Sequence, residues 1–146
     1  MLVLFVLFGA WIVLRGIGVL GVAMFATWHD SARFALAVLF VFTGISHFTK
    51  LKREMARMVP GIFPNPMAWV YLTGVFELLG AAGLILARTR TAASLALAAM
   101  LVAMFPANIK AAREGLTVGG KPATALWLRA PMQVFFIGML LWTGMR

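Results

Sequence analysis

The chain of 146 residues contains no cysteine, and it has 4 acidic residues against 13 lysines and arginines. The absence of cysteine excludes disulfides, thiol redox chemistry, cysteine nucleophiles and thiolate metal sites. Charged residues make up only 12% of the chain, about half the share that soluble domains carry. This scarcity of charge argues against a soluble monomer.

Hydrophobic residues make up 63% of the chain, and the mean hydropathy is +0.98. A soluble monomer of this size cannot bury so much apolar surface. Disordered chains are excluded as well, because they are poor in hydrophobic residues. The composition therefore predicts an integral membrane protein.

Five apolar segments approach the roughly 20 residues that a helix needs to span a bilayer. They are Leu2–Ala26, Ser31–Phe48, Met67–Ala87, Ala92–Asn108 and about Ala130–Met145. None alternates with a period of two, so an all-α fold is predicted and a membrane barrel is not. The first segment lacks the basic start and the cleavage site of a signal peptide, so we expect it to be retained as a helix.

Two connections between these segments are long. Residues 50–59 are predicted to form an interfacial amphipathic helix. The second connection, residues 109–128, contains a turn at Gly119-Gly120-Lys121-Pro122.

Basic residues are distributed unequally between the two ends of the five predicted helices. One end has eight (Lys50, Lys52, Arg53, Arg57, Lys110, Arg113, Lys121, Arg129), and the other has four (Arg33, Arg88, Arg90, Arg146). The positive-inside rule places the eight in the cytoplasm, so we expect a multi-pass protein of the cell membrane with its N-terminus inside and its C-terminus outside. The basic loops indicate anionic lipid headgroups at the cytoplasmic face as partners, and not nucleic acid.

Ionisable groups within the predicted spans are candidate functional residues. Glu77 lies ten residues after Met67, about 15 Å from the cytoplasmic end of its helix, and Arg15 lies about 20 Å deep from the same side. A buried acid is costly in a membrane and usually has a partner in the bundle interior. Two interpretations stay open, a structural ion pair between Arg15 and Glu77, and a ligand or proton site at Glu77.

Four polar side chains are predicted to meet at the cytoplasmic end of three helices. They are His47, Asn108, Arg129 and Gln133. One interpretation is the mouth of a binding cavity with Glu77 at its floor, and the other is polar contact between helices. No metal site is predicted, because His29 and His47 lie at opposite ends of one helix.

The sequence Gly16-Ile17-Gly18-Val19-Leu20-Gly21 matches the dinucleotide motif G-x-G-x-x-G. That motif requires a preceding strand and a following helix N-terminus. Here it lies inside an apolar segment, so we interpret the glycines as positions of close helix packing.

A further set of motifs runs through the chain in order. They are Phe42-Thr43-Gly44-Ile45-Ser46-His47-Phe48, Met58-Val59-Pro60, Pro64-Asn65-Pro66, the segment 70–80 around Glu77, Phe105-Pro106-Ala107-Asn108 and the segment 126–133. In these motifs the chain resembles the DoxX family of small bacterial membrane proteins, over about Ser31 to Trp142. The resemblance implies a four-helix transmembrane bundle over residues 29–146, with residues 1–28 as an additional N-terminal transmembrane helix.

The resemblance also implies a function. It suggests a membrane subunit or accessory protein of a redox system, with a redox partner protein and with His47, Glu77, Asn108, Arg129 and Gln133 around a quinone or another small lipophilic ligand. Electron transfer would need a cofactor or a partner, because the chain has no cysteine. The alternatives are a small proton-coupled transporter that uses Glu77, and a non-catalytic assembly factor.

Overall fold

A computed structural model describes residues 2–145, and helices account for most of them. The six α-helices of this part are α1 (Leu2–Val19), α2 (Trp28–Ser46), α3 (Lys52–Met58), α4 (Pro66–Ile85), α5 (Arg90–Arg113) and α6 (Leu126–Gly144). A single 3-10 turn, Ala23–Phe25, joins α1 to α2, and two short antiparallel strands, β1 (Thr117–Val118) and β2 (Lys121–Pro122), lie between α5 and α6. The predicted all-α architecture is confirmed.

Four of these helices, α1, α4, α5 and α6, are long and apolar enough to cross a membrane. The prediction of five such helices is wrong, because α2 does not meet the criterion. Its first two turns contain His29, Asp30 and Arg33, and these polar side chains reduce the hydropathy of a helix of 19 residues.

Helix α2 occupies the centre of the bundle, where it packs against α1, α4 and α6. Leu36 and Phe40 of α2 are buried in the main core together with Leu84, Leu97 and Leu140 from the other helices. Because neighbouring helices cover it, α2 does not need the apolar surface of a lipid-facing helix. This central position explains why α2, the most buried helix, can be more polar than the helices that are apolar enough to span a membrane.

The first helix ends at Val19 and not at Ala26 as predicted. Gly18 packs so closely against the backbone of Phe25 that no Cβ would fit there, and Gly21 has a φ of +109°, which favours glycine. These two glycines reverse the chain toward α2. Gly16 has open space around it, so the predicted helix packing by this motif is wrong.

The two long connections lie together at one end of the bundle. The predicted amphipathic helix forms as α3, and the predicted turn forms between β1 and β2, with φ of 62° at Gly119 and 73° at Gly120. The Gly119 N–H donates to Oε2 of Glu54 at 2.6 Å, and Lys110 Nζ donates to the Val59 carbonyl at 2.9 Å. The basic residues of both connections therefore share one end.

The opposite end joins the start of α5 to the end of α6. The Thr91 hydroxyl donates to the Gly144 carbonyl at 2.8 Å, and the Ser94 hydroxyl donates to the Leu140 carbonyl. Arg33, Arg88 and Arg90 lie at this end, whereas Arg146, the fourth basic residue of the prediction, lies outside the described residues. The separation of basic residues expected from the sequence is thus present in the fold for the residues described.

Candidate functional site

Two glycines allow α2 and α4 to cross at close range. A Cβ at Gly74 would lie 2.6 Å from the Cβ of His47, and a Cβ at Gly44 would lie 3.2 Å from the Cβ of Glu77. No larger residue fits at Gly74 without moving one helix. The close crossing places the side chains of His47 and Glu77 against each other.

The His47–Glu77 pair is the ionisable pair at this crossing. His47 follows the last residue of α2, and the two residues are only 5% and 4% exposed. Nε2 of His47 lies 3.6 Å from Oε1 of Glu77. Nδ1 lies 2.8 Å from the Val70 carbonyl oxygen. Because a carbonyl can only accept, Nδ1 carries a hydrogen and donates it, and Nε2 faces the carboxyl group.

This arrangement requires one proton between the two side chains. With Nδ1 protonated, Nε2 either carries a second proton and faces a carboxylate, or accepts from a protonated carboxyl group. A neutral imidazole beside a bare carboxylate would place two acceptors face to face. The pair is therefore built to bind one proton, and loss of that proton removes the attraction between the side chains of His47 and Glu77, while the hydrogen bond from Nδ1 to Val70 remains.

His47 lies outside the four candidate spans. Its surroundings favour the charged form of the imidazole. Burial by itself lowers the pKa of the imidazole. The hydrogen bond and negative charge of Glu77, with the Val70 carbonyl, outweigh this effect, so the pKa of His47 is raised above its ordinary value. The proton of the pair is thus held more firmly than on a free histidine.

One oxygen of the pair is left over. Oε2 of Glu77 is buried and has no hydrogen-bond partner among residues 2–145. Buried carboxyl oxygens are normally hydrogen-bonded, so an exception calls for an explanation. Oε2 can accept a hydrogen bond from a bound solute or can itself carry the proton.

Thr73 lies one turn before Glu77 on α4, and its hydroxyl contacts His47. Its hydroxyl oxygen lies 2.9 Å from the Trp69 carbonyl and 3.2 Å from Nδ1 of His47. Thr73 and the Val70 carbonyl together fix the orientation of the imidazole ring.

The predicted ion pair between Arg15 and Glu77 is not formed. The guanidinium carbon of Arg15 lies 5.3 Å from the ring centroid of Trp28, in a cation–π contact. Trp28 begins α2, whereas His47 follows its end, and a helix of 19 residues is about 28 Å long. Arg15 and Glu77 therefore occupy different ends of α2.

The three remaining predicted site residues lie on α5 and α6. Nε2 of Gln133 donates to the Leu101 carbonyl at 2.7 Å, which is a polar contact between α6 and α5. Asn108 is buried near the end of α5, and Arg129 is half-buried in the first turn of α6. A role for these three residues around a ligand stays a prediction.

The surface of the bundle has two grooves, and neither is lined by His47 or Glu77. One has a volume of about 450 Å³ and is lined by Pro60, Gly61, Pro106, Ile109, Lys110, Arg113 and Glu114. The other has a volume of about 290 Å³ and is lined by Leu4, Phe8, Pro131, Met132 and Phe135. The first lies at the basic end, and the second is an apolar groove between α1 and α6.

A second polar cluster, at the start of α2, was not recognised in the sequence. Nε2 of His29 lies 3.0 Å from the Trp142 carbonyl, and Arg33 is only 6% exposed and pairs with Asp30 at 3.3 Å. The sequence interpretation counted Arg33 only as a basic residue of the outer end. The spacing of Asp30, Arg33 and His29 within two turns of one helix was the available signal.

Comparison with known families gives one match. Residues 36–143 match the family described as "Domain of unknown function (DUF8561)". The chain belongs to this family. The matched residues extend from the middle of α2 to the last turn of α6, and α1 precedes them.

The match corrects the resemblance to the DoxX family, which was wrong. The shared motifs consist largely of apolar residues, glycines and prolines, and such residues recur wherever helices pack closely in a membrane. No curated protein matches the chain, and no solved structure does. The function must therefore be argued from the site itself.

Proposed function

We propose that the chain is an integral protein of the cell membrane that couples binding of a proton at the His47–Glu77 pair to movement of a small solute. The observation that carries the proposal is the buried pair, which requires one proton and leaves Oε2 of Glu77 without a partner. Paired acids and histidines inside membrane bundles are typical of proton relays in transporters.

Helix α4 supports this proposal by its composition and by the position of Glu77. It is one of the four helices that are long and apolar enough to span a membrane. Glu77 lies eleven residues from its start and eight from its end, so about 16 Å and 12 Å along the helix. A proton bound there is close to the middle of a spanning helix.

The redox function that the resemblance implied, to which the transporter was an alternative, is not retained. It depended on the resemblance to the DoxX family, and that resemblance has been replaced by a different family. Imidazole and carboxyl groups exchange protons and do not carry electrons. We therefore infer no quinone and no redox partner protein.

The topology that we propose has the N-terminus in the cytoplasm and α2 as a fifth crossing inside the bundle, because α1, α4, α5 and α6 alone would place the N-terminus and α3 on opposite sides. Eight basic residues precede or follow spans at the end that contains α3 and the β1–β2 hairpin, which makes this end cytoplasmic. A reporter fused after Gly61 is expected to report a cytoplasmic position, and one fused after Arg88 an external position. The orientation is overturned if the Gly61 fusion reports the outside.

The transport prediction concerns Glu77→Gln. The chain is reconstituted in vesicles with an internal pH dye, a pH gradient is imposed, and a mixture of small solutes is added outside. We expect solute-dependent proton movement in the wild type and at least a tenfold lower rate in Glu77→Gln, because an amide cannot carry the proton.

Glu114→Gln is the matched control, since Glu114 is an exposed acid beyond the end of α5. It is expected to move protons at the wild-type rate. Equal rates in Glu77→Gln and in the wild type would contradict the proposal, as would the absence of any solute-dependent proton movement in the wild type.

A further inference from the structure

The larger surface groove, at the basic end of the bundle, is lined by the end of α5 and by the segment that follows α3. Its volume is about 450 Å³. The residues that α5 contributes have the spacing i, i+3, i+4 and i+7, which places them on one face of the helix. They are Pro106, Ile109, Lys110 and Arg113, and the segment after α3 contributes Pro60 and Gly61.

The α5 side of the groove changes from apolar to charged along the helix. Pro106 and Ile109 come first, and Lys110 and Arg113 lie in the last turn. The distance from Pro106 to Arg113 is about 10 Å along the helix axis. Helix α5 is long and apolar enough to span a membrane, and a membrane also changes from acyl chains to headgroups toward its surface. The groove therefore has the polarity of a phospholipid, whereas a free anion would use only its charged part.

The ammonium group of Lys110 is fixed in position but keeps its charge. Nζ donates at 2.9 Å to the Arg57 carbonyl and at 2.9 Å to the Val59 carbonyl. These acceptors are neutral, so they hold the side chain without cancelling its charge. An ammonium group has three N–H donors, and the third has no acceptor among residues 2–145. A headgroup that binds here does not have to immobilise a free lysine side chain.

Glu114, the acidic residue of the lining, does not pair with these cations. It follows Lys110 by four residues, which is the spacing of a helical ion pair. Within the described part of the chain, however, neither Lys110 nor Arg113 forms a salt bridge. Two basic side chains and one acidic side chain line the groove, so its lining has a net charge of +1. This charge suits a ligand with a single negative charge.

The segment after α3 also presents a side chain that is suited to lipid. Ile62 follows Gly61 and is 84% exposed. Transfer of such an apolar side chain from water into acyl chains is favourable. An apolar side chain beside the groove is therefore available to contact the chains of a bound lipid.

We propose that this groove binds one anionic phospholipid, with its phosphate at Lys110 and Arg113 and its acyl chains toward Pro106 and Ile109. Both basic groups form charge-assisted hydrogen bonds with phosphate oxygens. Such a site differs from the general attraction of basic loops to a charged surface, because it binds one lipid at defined residues. It is separate from the His47–Glu77 pair and does not depend on transport.

The test counts the lipids bound to the detergent-purified full chain by native mass spectrometry, after equilibration at the physiological ionic strength of about 0.15 M. Phosphatidylglycerol is titrated in one arm, and phosphatidylcholine with the same acyl chains in the other. Both lipids contain the phosphate, but only the first has a net negative charge. We expect one phosphatidylglycerol per chain to bind at least about tenfold more tightly than phosphatidylcholine.

The double variant Lys110→Gln/Arg113→Gln is expected to bind phosphatidylglycerol no more tightly than phosphatidylcholine. Lys50→Gln/Arg53→Gln is the matched control, because it removes two exposed basic residues at the same end that line neither groove. It should stay within about twofold of the wild type, since salt screens charges outside the site.

Arg113→Gln alone keeps the bonds of Lys110 to the end of α3, and it decides the question if the double variant does not fold. Arg113 is exposed, and its side chain makes no hydrogen bond with the other described residues. The affinity of this variant for phosphatidylglycerol should fall about fivefold.

Three results would overturn the proposal. The first is equal affinity of the wild type for the two lipids. The second is an equal loss of affinity in a folded groove variant and in the Lys50→Gln/Arg53→Gln control, which would indicate attraction by surface charge alone. The third is obtained with a glutamate peptide as an added ligand. If the wild type binds this peptide and Arg113→Gln does not, while phosphatidylglycerol binds no better than phosphatidylcholine, the groove receives an acidic protein segment and not a lipid.

Discussion

Replacing His47 with leucine is expected to lower the free energy of unfolding by about 3 kcal/mol, whereas Glu77→Gln is expected to cost less than about 1 kcal/mol. Leucine removes the donor to the Val70 carbonyl and the partner of Oε1 of Glu77. It leaves a buried carboxyl group without its partner, whereas the Val70 carbonyl still accepts from the Thr73 hydroxyl at 3.0 Å. Glutamine has nearly the same shape as glutamate, and its amide donates to Nε2 while Nδ1 keeps its bond to Val70.

The measurement is reversible unfolding in detergent for His47→Leu, Glu77→Gln and Glu77→Leu, and for the double variant His47→Leu/Glu77→Leu. Removing both partners avoids the isolated buried acid, so the double variant should be more stable than His47→Leu alone. Strictly additive losses for His47→Leu and Glu77→Leu would show that the two side chains do not interact.

The stability of the wild type and that of His47→Leu should depend differently on pH. The pKa of His47 is raised in the folded chain, so its contribution is complete below the ordinary histidine pKa of about 6.5 and is lost as the pH rises through the raised value. The wild type should therefore lose stability over this interval, and His47→Leu should not. Parallel curves for both proteins would contradict the assignment of the proton to this pair.

The sequence was sufficient for the positions of most helices. The apolar segments that contain Glu77 and Gln133 were long and were bounded by proline, asparagine or charged residues, so α4 and α6 were predicted within a few residues. Gly119 and Gly120 predicted the turn between β1 and β2, because such a turn needs residues with positive φ, and both glycines adopt it. Such local signals do not require knowledge of neighbouring helices.

The partner of Glu77 was not predictable by the same means. Depth along a helix, counted from Leu2 and from Met67, gave Arg15 and Glu77 comparable levels, but it does not show which neighbouring helix each side chain faces. Gly18 and Gly21 end α1 early, and Arg15 then lies near Trp28. The pairing with His47 depends on where α2 crosses α4, which is a property of two helices and not of one sequence segment.

The position of α2 illustrates a second limit. Its hydropathy is lowered by His29, Asp30 and Arg33, and a single-helix criterion does not count it as a span. Its burial comes from α1, α4 and α6, which surround it. The polarity of a helix indicates what faces it only when the arrangement of its neighbours is known.

Gly74→Ala is expected to destabilise the chain by about 1–3 kcal/mol, although alanine is the better helix former. The added Cβ would lie 2.6 Å from the Cβ of His47 and 3.0 Å from Cε2 of Phe48. The ring of Phe48 can turn aside, but the Cβ of His47 is fixed to the backbone and cannot yield without shifting α2 away from α4. The shift would lengthen the contacts of His47 with Val70 and Glu77, so proton coupling should decline with stability.

Gly138→Ala provides the matched control for this last prediction. Gly138 lies within α6, and a Cβ there would meet no atom within 4 Å. Alanine should therefore stabilise the chain by up to about 1 kcal/mol through its helix propensity alone. Unfolding of both variants under the same conditions should give effects of opposite sign. If Gly74→Ala is as stable as Gly138→Ala and retains proton movement, then the crossing of α2 and α4 tolerates a methyl group and does not depend on glycine for the contact between His47 and Glu77.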